Sequence, residues 1–185
     1  MSDKKIELYL IRHGKTQGNK EHRFIGVGTD SPLCTEGVDM LNEKRCQNEY
    51  PKVDMCFSSP MKRCLETASV IYPEHEVIVI DELREIDFGD FEGHNHEELD
   101  GDPKYQEWID SGGKLAFPNG EGMDEYGKMV AVGLNKLKEI AIQSHVTKVA
   151  ATVHGGTVMA ACSYLGISDY FDGIIGNGEI MKVIF

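Results

Sequence analysis

Short apolar runs alternate along the chain with longer segments of helical character, and this alternation restricts the fold more than any other feature. The apolar runs span residues 6–11, 53–59, 76–81, 147–154 and 179–185. The helical segments span residues 35–50, 61–72, 123–143 and 156–166. Strands that alternate with helices favour a parallel sheet, because a crossover helix returns the chain to the start of the next strand. We therefore predict an α/β fold with three α/β/α layers, in which helices flank a largely parallel central sheet.

The length of the chain suits one domain, interrupted by one unusual segment. A chain of 185 residues is typical of a single domain, which we predict over residues 1–185. Residues 84–125 are rich in Gly, Asp, Glu and His, and they include the only tryptophan, Trp108. We expect short helices and loops in this segment, which would form a lid-like insertion over a site.

Charge and cysteine content exclude several classes of protein. The formal net charge is −12, whereas a nucleic-acid-binding protein usually presents a basic face, so we expect no nucleic-acid partner. The five cysteines are scattered without a C-x-x-C pair, which argues against a disulfide framework and a thiolate metal site. The first apolar run is short and ends at Arg12, so we expect no secretory leader, no membrane segment and a cytoplasmic location. The sequence does not indicate an oligomeric state.

Polar side chains suited to phosphate follow three of the predicted strands. Arg12 and His13 follow the first run, Arg63 lies just after the second, and His154 ends the fourth. Gly155 then begins a helix, where free backbone N–H groups can bind an anion. The carboxyl ends of parallel strands meet at one edge of the sheet, and guanidinium groups bind phosphate oxygens in pairs. We expect these residues to converge on one phosphate group, without a metal ion.

An acidic segment after the third strand supplies candidate proton donors. Glu82, Glu85 and Asp87 all lie there, and in an extended segment Glu85 and Asp87 share a face, so the pattern alone leaves the choice open. If the phosphate belongs to an ester that is hydrolysed, a proton donor alone would not suffice, because enzymes accelerate this reaction by up to ~10²¹ and general acid catalysis supplies only about 10²–10⁴ of that factor. Positioning and positive charge would then supply most of the rest.

Five motifs together resemble the histidine phosphatase superfamily, also called the phosphoglycerate mutase-like family. They are "LIRHGKTQGN" (10–19), "DSPLCTEG" (30–37), "FSSPMKRCLETA" (57–68), "LREIDFGDFEG" (83–93) and "VHGGT" (153–157). An isolated R-H-G would carry little information, whereas five pieces in this order over nearly the whole chain form a specific signal. The resemblance implies a phosphoglycerate mutase-like fold and phosphoryl transfer through a phosphohistidine.

The resemblance also implies a role for each matching residue. His13 would be the nucleophile, and Glu85 would protonate the leaving alcohol and then activate water. The implied phosphate-binding residues are Arg12, Asn19, Arg63, His154 and Gly155. No cofactor is implied.

A histidine-rich stretch offers a competing interpretation. "HNHEE" contains His94 and His96, and clustered His and Glu side chains can bind a metal ion. No distant ligand set with a recognised spacing completes such a site, so we interpret the stretch as a solvated helix start. The role of His94 and His96 stays open.

Two positions depart from the family pattern where substrate contacts are expected. Ile25 stands where a Gln is common, and Gly122 stands where the family's G-E-S motif has a Ser. These departures affect the identity of the substrate more than the phosphoryl chemistry.

The lid length favours one function within the family. The mutases of this family generally carry longer lid segments, and a smaller lid excludes water less well, which favours hydrolysis. We therefore predict a phosphatase that acts on a small phosphorylated metabolite, with α-ribazole 5'-phosphate as the first specific candidate. The alternatives are a 2,3-bisphosphoglycerate-dependent phosphoglycerate mutase and, in another class, a non-catalytic phospho-ligand binding module.

Overall fold

A five-stranded sheet forms the centre of the computed structural model, which describes residues 5–184. The strands are β1 (Glu7–Arg12), β2 (Met55–Ser58), β3 (Val77–Val79), β4 (Lys148–Val153) and β5 (Ile180–Ile184). Their order is β3-β2-β4-β1-β5, and only β5 runs antiparallel to its neighbour. The predicted largely parallel sheet is confirmed. Residues 1–4 of the predicted domain and Phe185 of the predicted last strand lie outside the described residues.

The helices of the structure include the four predicted helical segments, with shifts at some of their ends, and two shorter helices. They are α1 (Gln17–Lys20), α2 (Thr35–Cys46), α3 (Lys62–Ile71), α4 (Pro103–Asp110), α5 (Met123–Gln143) and α6 (Gly155–Tyr164), with 3₁₀ helices at Asp81–Leu83, Gly89–Phe91 and Tyr170–Gly173. Helix α5 has the predicted bounds. Helix α2 ends before residue 50 because Asn48 adopts a left-handed conformation, which terminates a helix and which Asn tolerates. Within residues 5–184, no helix is long and apolar enough to cross a membrane.

One face of the sheet packs against α5 and α6. Successive strand residues point to opposite faces, so Leu8 and Leu10 of β1 share a face. Both are fully buried, in a core cluster that also contains Leu134 of α5 and Val158 of α6. This cluster extends into the segment after β3, where it contains Phe91.

The opposite face packs against α2 and α3. Ile11 of β1 and Ala150 of β4 are fully buried in a second cluster with Leu41 of α2 and Ala68 of α3. Helices therefore cover both faces, which confirms the predicted three-layer arrangement.

The residues predicted to form a lid do consist of short helices and loops. Asp102 caps α4, because its carboxylate accepts the backbone N–H of Lys104 at 2.7 Å. On α4, Trp108 stacks on Phe117 with ring centroids 5.0 Å apart, and Phe117 also meets Phe88 edge to face. These rings pack within the same core cluster that covers the α5 and α6 face of the sheet. The action of this segment as a lid, and the division of residues 1–185 into one domain with this insertion, stay predictions.

The strand ends lie side by side because β4 lies between β1 and β2. The N–H of His13 donates to the carbonyl of Val153 at 2.9 Å, and the N–H of Ser59 donates to the carbonyl of Thr152 at 2.9 Å. The chain leaves β1 towards α2 on one face and leaves β4 towards α6 on the other. This divergence opens a crevice at the carboxyl edge of the sheet.

Thr67 of α3 fixes the loop after β1, and this contact leads to a stability prediction. Its buried hydroxyl accepts the Gly14 N–H at 3.0 Å and donates to the Arg63 carbonyl at 2.6 Å. Thr67→Val leaves the Gly14 N–H without its partner, so we expect the free energy of unfolding to fall by about 1–3 kcal/mol in urea denaturation. Thr67→Ser keeps the hydroxyl and loses only a methyl group, so it should lower the free energy of unfolding by about 1 kcal/mol. An equal loss in both variants would contradict this role of the hydroxyl.

Candidate active site

His13 lies at the end of β1 with one ring nitrogen fixed by the backbone. Its Nδ1 is 2.7 Å from the carbonyl oxygen of Gly14, and the side chain is only 4% exposed. A carbonyl oxygen only accepts hydrogen bonds, so Nδ1 must carry a proton. In the neutral ring this leaves the lone pair on Nε2. The backbone therefore selects the tautomer in which Nε2 can act as a nucleophile.

The environment of His13 keeps the ring uncharged. Burial, followed by the nearby charge of Arg63 and then that of Arg12, lowers the pKa of His13 to about 3, while the bond to Gly14 opposes this shift. His13 is therefore neutral at physiological pH.

Arg63 is a fully buried cation held by neutral groups. Its guanidinium donates to the carbonyl of Thr29 at 2.9 Å and to that of Gly26 at 3.1 Å, while its Nε donates to Nδ1 of His154 at 3.2 Å. Among residues 5–184, Arg63 makes no salt bridge with a carboxylate. A buried charge bound only by dipoles is costly unless an anion approaches it.

His154 accepts a hydrogen bond from Arg63 and is itself held by Ser59. Arginine only donates, so the Nδ1 of His154 accepts from Arg63, and in the neutral ring Nε2 then donates to the Ser59 hydroxyl at 2.7 Å. Burial, then the charge of Arg63, lowers the pKa of His154 well below its usual range, which keeps the ring neutral. Both ring nitrogens are thus engaged by protein groups. Direct contact of His154 with phosphate, as the sequence predicts, would require Nε2 to leave Ser59, and it stays a prediction.

Arg12 presents an unpaired donor at the crevice. One terminal nitrogen donates to the carbonyl of Ile175 at 2.6 Å, whereas the buried Nε has no hydrogen-bond partner among the described residues. The guanidinium passes close to Gly155, since a Cβ placed on this glycine would lie 3.5 Å from Nε of Arg12. The first N–H groups of α6 and the guanidinium therefore face the same space. An anion bound there would satisfy the free Nε.

Glu85 lies on the other side of the α6 N-terminus. It is 6% exposed, and its Oε1 accepts the Ile86 N–H at 3.0 Å and the Tyr126 hydroxyl at 3.2 Å. Its Oε2 accepts the Gly156 N–H at 3.4 Å. A Cβ at Gly156 would lie 2.3 Å from Oε1, so only glycine lets α6 approach this closely. Burial raises the pKa of Glu85, which favours the protonated form that a general acid needs.

The two other candidate acids point elsewhere. Glu82 forms an ion pair with Lys136 of α5, and Asp87 accepts the backbone N–H of Gly89 at 2.8 Å. Of the three carboxylates, Glu85 is the one that lines the cavity.

Asn19 of α1 offers an amide to the same cavity. Its Oδ1 accepts the Thr16 N–H at 3.0 Å in a capping box, and it also accepts from Nδ2 of Asn177 at 3.3 Å. The carbonyl oxygen is therefore occupied by protein donors, which leaves the NH₂ group of Asn19 for a ligand. Asn177 also ties this loop to β1 through the His13 carbonyl at 3.0 Å.

A cavity of about 900 Å³ opens above these groups. The residues that line it include Arg12, Asn19, Glu85 and Gly155, whereas His13, Arg63 and His154 are buried and do not line it. The aromatic and apolar part of the lining consists of Phe24, Phe88, Trp108, Phe117, Met123, Met159, Phe171 and Ile174. Further polar and charged residues that line the cavity are Lys15, Lys20, His22, Arg23, His96 and Asn177. The lining suits a ligand with a phosphate group and an apolar group.

The histidine-rich stretch does not assemble a metal site. Nδ1 of His94 faces the Glu92 carbonyl at 3.1 Å, and His96 bonds to the Tyr105 hydroxyl and meets Phe24 edge to face. Within the described part of the chain, no group of three or more His, Cys, Asp or Glu could hold a metal ion. His96 lines the cavity, so it belongs to its wall.

The two positions that depart from the family pattern do not line the cavity. Ile25 packs beside Gly18, where an added Cβ would lie 2.5 Å from its side chain. Gly122 caps the start of α5. The expectation that these positions contact the substrate directly gains no support from the shape of the cavity.

Sequence reasoning missed three residues that hold the site together. Ser59 bonds to His154, Asn177 connects β1 to Asn19, and Tyr126 bonds to Glu85. Ser59 lies within a quoted motif and could have been proposed. Asn177 and Tyr126 carry no local signal, because their partners lie far away in the sequence.

The match to a protein family covers nearly the whole chain. The model of the histidine phosphatase superfamily (branch 1) matches residues 8–184. This match includes every residue of the candidate site and confirms the resemblance seen in the sequence.

Relatives and solved structures agree with that match. A Hydrogenobacter thermophilus protein named "Putative phosphoserine phosphatase 2" is 32% identical over 170 residues, which cover 86% of this chain and 79% of that protein. The crystal structure of phosphoglycerate mutase from Thermus thermophilus aligns with a TM-score of 0.75 at 32% identity, over 96% of this chain and 92% of that one. The α-ribazole phosphatase structure from Shigella flexneri aligns with a TM-score of 0.81 at 23% identity, over 96% of this chain and 89% of that one. At this identity the alignment supports the fold alone. The predicted phosphoglycerate mutase-like fold is confirmed.

The lowered pKa of His13 leads to a prediction about stability and pH. Between pH 6.5 and about 3 the unfolded chain binds a proton that folded His13 excludes, so the folded state loses stability as the pH falls through this window. In urea denaturation between pH 6 and 5, His13 should lower the free energy of unfolding by about 1.4 kcal/mol for each pH unit that the pH falls.

His13→Asn provides the comparison, because it removes this titration. Glu85, with its raised pKa, has the opposite effect on how the free energy of unfolding depends on pH, and it has this effect in both proteins. The difference between the two proteins in the slope of unfolding free energy against pH therefore isolates His13. Equal slopes in the parent protein and His13→Asn would show that His13 titrates normally.

Proposed function

We propose that this chain, which belongs to the histidine phosphatase superfamily, is a phosphomonoesterase that hydrolyses a small phosphate ester through a phosphohistidine. The observation that carries the proposal is the neutral, buried His13, whose Nδ1 is held by Gly14 while two guanidinium groups lie nearby. Such a ring has a free Nε2 lone pair and an electrostatic environment suited to a dianionic phosphate.

The first step transfers the phosphoryl group to His13. The Nε2 lone pair of His13 attacks phosphorus, the bond between phosphorus and the ester oxygen breaks, and the proton of Glu85 passes to that oxygen. Arg12 and Arg63 hold the phosphoryl oxygens, with the Gly155 N–H and the NH₂ group of Asn19 as further donors. These groups stabilise the charge that spreads over the equatorial oxygens in the transition state.

The second step returns the phosphoryl group to water. Glu85, now ionised, takes a proton from a water molecule whose oxygen attacks phosphorus, and the bond between phosphorus and Nε2 breaks. Inorganic phosphate leaves, and both residues recover their starting protonation states. One carboxyl group thus serves as acid and then as base.

The cavity walls support an aromatic or apolar leaving group. Lys15 and Lys20 at the rim are both paired with Glu36, at 2.7 and 3.0 Å, and Arg23 forms a two-pronged bond to Glu98. Arg23 also pairs with Glu21 at 2.7 Å, whereas Lys15 and Lys20 share one carboxylate. The charges of these cations are therefore largely but not fully neutralised, which weakens any attraction for a second anionic group. Trp108 is one of the five aromatic rings that line the cavity, with Phe24, Phe88, Phe117 and Phe171. An aromatic riboside phosphate such as α-ribazole 5'-phosphate fits these features.

A phosphoglycerate mutase is the second candidate, favoured by the 32% identity to the Thermus thermophilus enzyme over 96% of this chain. Its substrate carries a carboxylate beside the phosphate, and this group would have to displace Glu36 or Glu98 from the paired cations. Rapid conversion of 3-phosphoglycerate to 2-phosphoglycerate with a trace of 2,3-bisphosphoglycerate would favour the mutase over the phosphatase.

Replacing the two proposed catalytic residues should have different effects on different leaving groups. His13→Ala should lower kcat/KM for p-nitrophenyl phosphate by more than about 10³-fold, with or without a chelator. Glu85→Gln should lower it by about 10²–10⁴-fold for alkyl phosphates and much less for p-nitrophenyl phosphate, whose leaving group needs no proton. Full activity of His13→Ala would contradict the assignment of the nucleophile. Phosphate binding without turnover in the parent protein would favour a binding module.

Trp108 tests the proposed class of substrate. Trp108→Leu should raise KM for 1-naphthyl phosphate by up to about tenfold, because an aromatic contact is lost, and leave KM for ethyl phosphate nearly unchanged. Trp108→Phe is the matched control, which keeps a ring and should lose less. A similar rise for both substrates in Trp108→Leu would argue against contact with the leaving group.

A further inference from the structure

Tyr126 of α5 touches the proposed acid from the side opposite the cavity. Its hydroxyl lies 3.2 Å from Oε1 of Glu85, 2.9 Å from the Arg84 carbonyl and 3.0 Å from Oγ1 of Thr157. The ring is fully buried, in the core cluster that also fixes α5 against the sheet. Tyr126 does not line the cavity, so it is not placed to touch a substrate.

The two oxygens of Glu85 have unequal surroundings. Oε1 receives two donors at ordinary distances, the Ile86 N–H at 3.0 Å and the Tyr126 O–H. Oε2 receives one long contact from the Gly156 N–H at 3.4 Å. A carboxyl oxygen that accepts two hydrogen bonds is a poor place for the acid proton, because the proton would face other donors. The proton is therefore favoured on Oε2, the oxygen that accepts only the long contact from the Gly156 N–H.

On this basis we propose that Tyr126 is a positioning residue that directs the acid proton of Glu85 to Oε2, towards the leaving oxygen. The inference rests on the proposed role of Glu85. The Tyr126 hydroxyl donates to Oε1 both when Glu85 is ionised and when Glu85 carries its proton on Oε2. No atom is transferred to Tyr126. The proton moves from Oε2 to the leaving oxygen in the first step and returns from water in the second.

The electrostatic surroundings suit a permanent donor. Burial, followed by the charge of Glu85, raises the pKa of Tyr126, so the hydroxyl keeps its proton over the working pH range. The hydrogen bond from Tyr126 lowers the pKa of Glu85, against the larger effect of burial. The ionisable groups that face Glu85 are Arg12 from β1, Arg63 and Cys64 from α3, Tyr126 from α5 and Tyr170 from the last 3₁₀ helix.

Removal of the hydroxyl should misdirect the proton. In Tyr126→Phe we expect kcat/KM for an alkyl phosphate to fall about tenfold, with a smaller loss for p-nitrophenyl phosphate. In a plot of kcat/KM for the alkyl phosphate against pH, activity falls on the alkaline side where Glu85 loses its proton. This alkaline limb should move to higher pH in Tyr126→Phe, because the carboxylate has lost a stabilising donor and the pKa of Glu85 rises. A loss of packing alone would lower both rates equally and leave the limb in place, which would overturn the proposal.

A double-mutant cycle separates this inference from the proposed function. If Tyr126 acts through Glu85, Tyr126→Phe should have almost no further effect in a Glu85→Gln background. Additive losses would contradict the positioning role. If Glu85→Gln itself behaves like the parent enzyme, the proposed role of Glu85 as the acid is wrong. Failure of the positioning role of Tyr126 and failure of the acid role of Glu85 therefore give different results.

Two further variants cover folding and remote effects. Tyr72→Phe removes a hydroxyl that bonds the Pro51 carbonyl at 3.0 Å on the α3 side of the sheet, and it should leave the pH profile unchanged. Incorporation of 3,5-difluorotyrosine at position 126 keeps the shape and makes the hydroxyl a stronger donor. The alkaline limb should then move to lower pH, opposite to Tyr126→Phe. The proposal would be refuted if the alkaline limb moved in the same direction in Tyr126→Phe and in the difluorotyrosine protein. It would also be refuted if the limb moved in Tyr72→Phe.

Discussion

The buried positive charge of Arg63 is the constraint on which the rest of the site depends. A guanidinium removed from water is tolerated only when its N–H groups find partners, and here carbonyl groups and a histidine nitrogen supply them. These partners are neutral, so the charge itself remains uncompensated until an anion arrives. Burial has the largest effect in lowering the pKa of His13 and of His154, and the charge of Arg63 comes next. One buried cation thus attracts the proposed ligand and helps burial to keep the nucleophile in its reactive form.

Segments that are distant in the sequence hold this charge in place. The Gly26 and Thr29 carbonyls that bind Arg63 belong to the loop between α1 and α2, while Thr67 joins α3 to the chain just after β1. Parallel strands bring these segments to one edge of the sheet, and α6 starts at that edge with two glycines. A side chain at position 156 would displace the Glu85 carboxyl group from its present place. Gly156 is therefore needed for the position of the proposed acid as well as for binding an anion.

The sequence predicted those parts of the molecule that depend on local pattern. The apolar runs located β1 and β4, and regular apolar spacing located α5 to its ends. The family motifs supplied the candidate residues, but not their partners. That His154 uses both ring nitrogens on Ser59 and Arg63 could not be read from the motif, because hydrogen-bond partners are set by tertiary packing. Tyr126 was invisible for the same reason, since it lies 41 residues from Glu85.

One physical cause gives both proposed catalytic groups their useful protonation state. Burial favours the uncharged form of any ionisable group, so it lowers the pKa of His13 and raises that of Glu85. A neutral imidazole and a neutral carboxyl group are the pair that the first step requires. The second step requires the opposite for Glu85, whose ionised form needs donors such as the Tyr126 hydroxyl and the Gly156 N–H. It also requires a water molecule close to groups whose burial prepared the first step. A leaving group that occupies the space beside the aromatic residues of the cavity and then departs would meet both demands, because it would exclude water while the ester is bound and admit water once the alcohol has left.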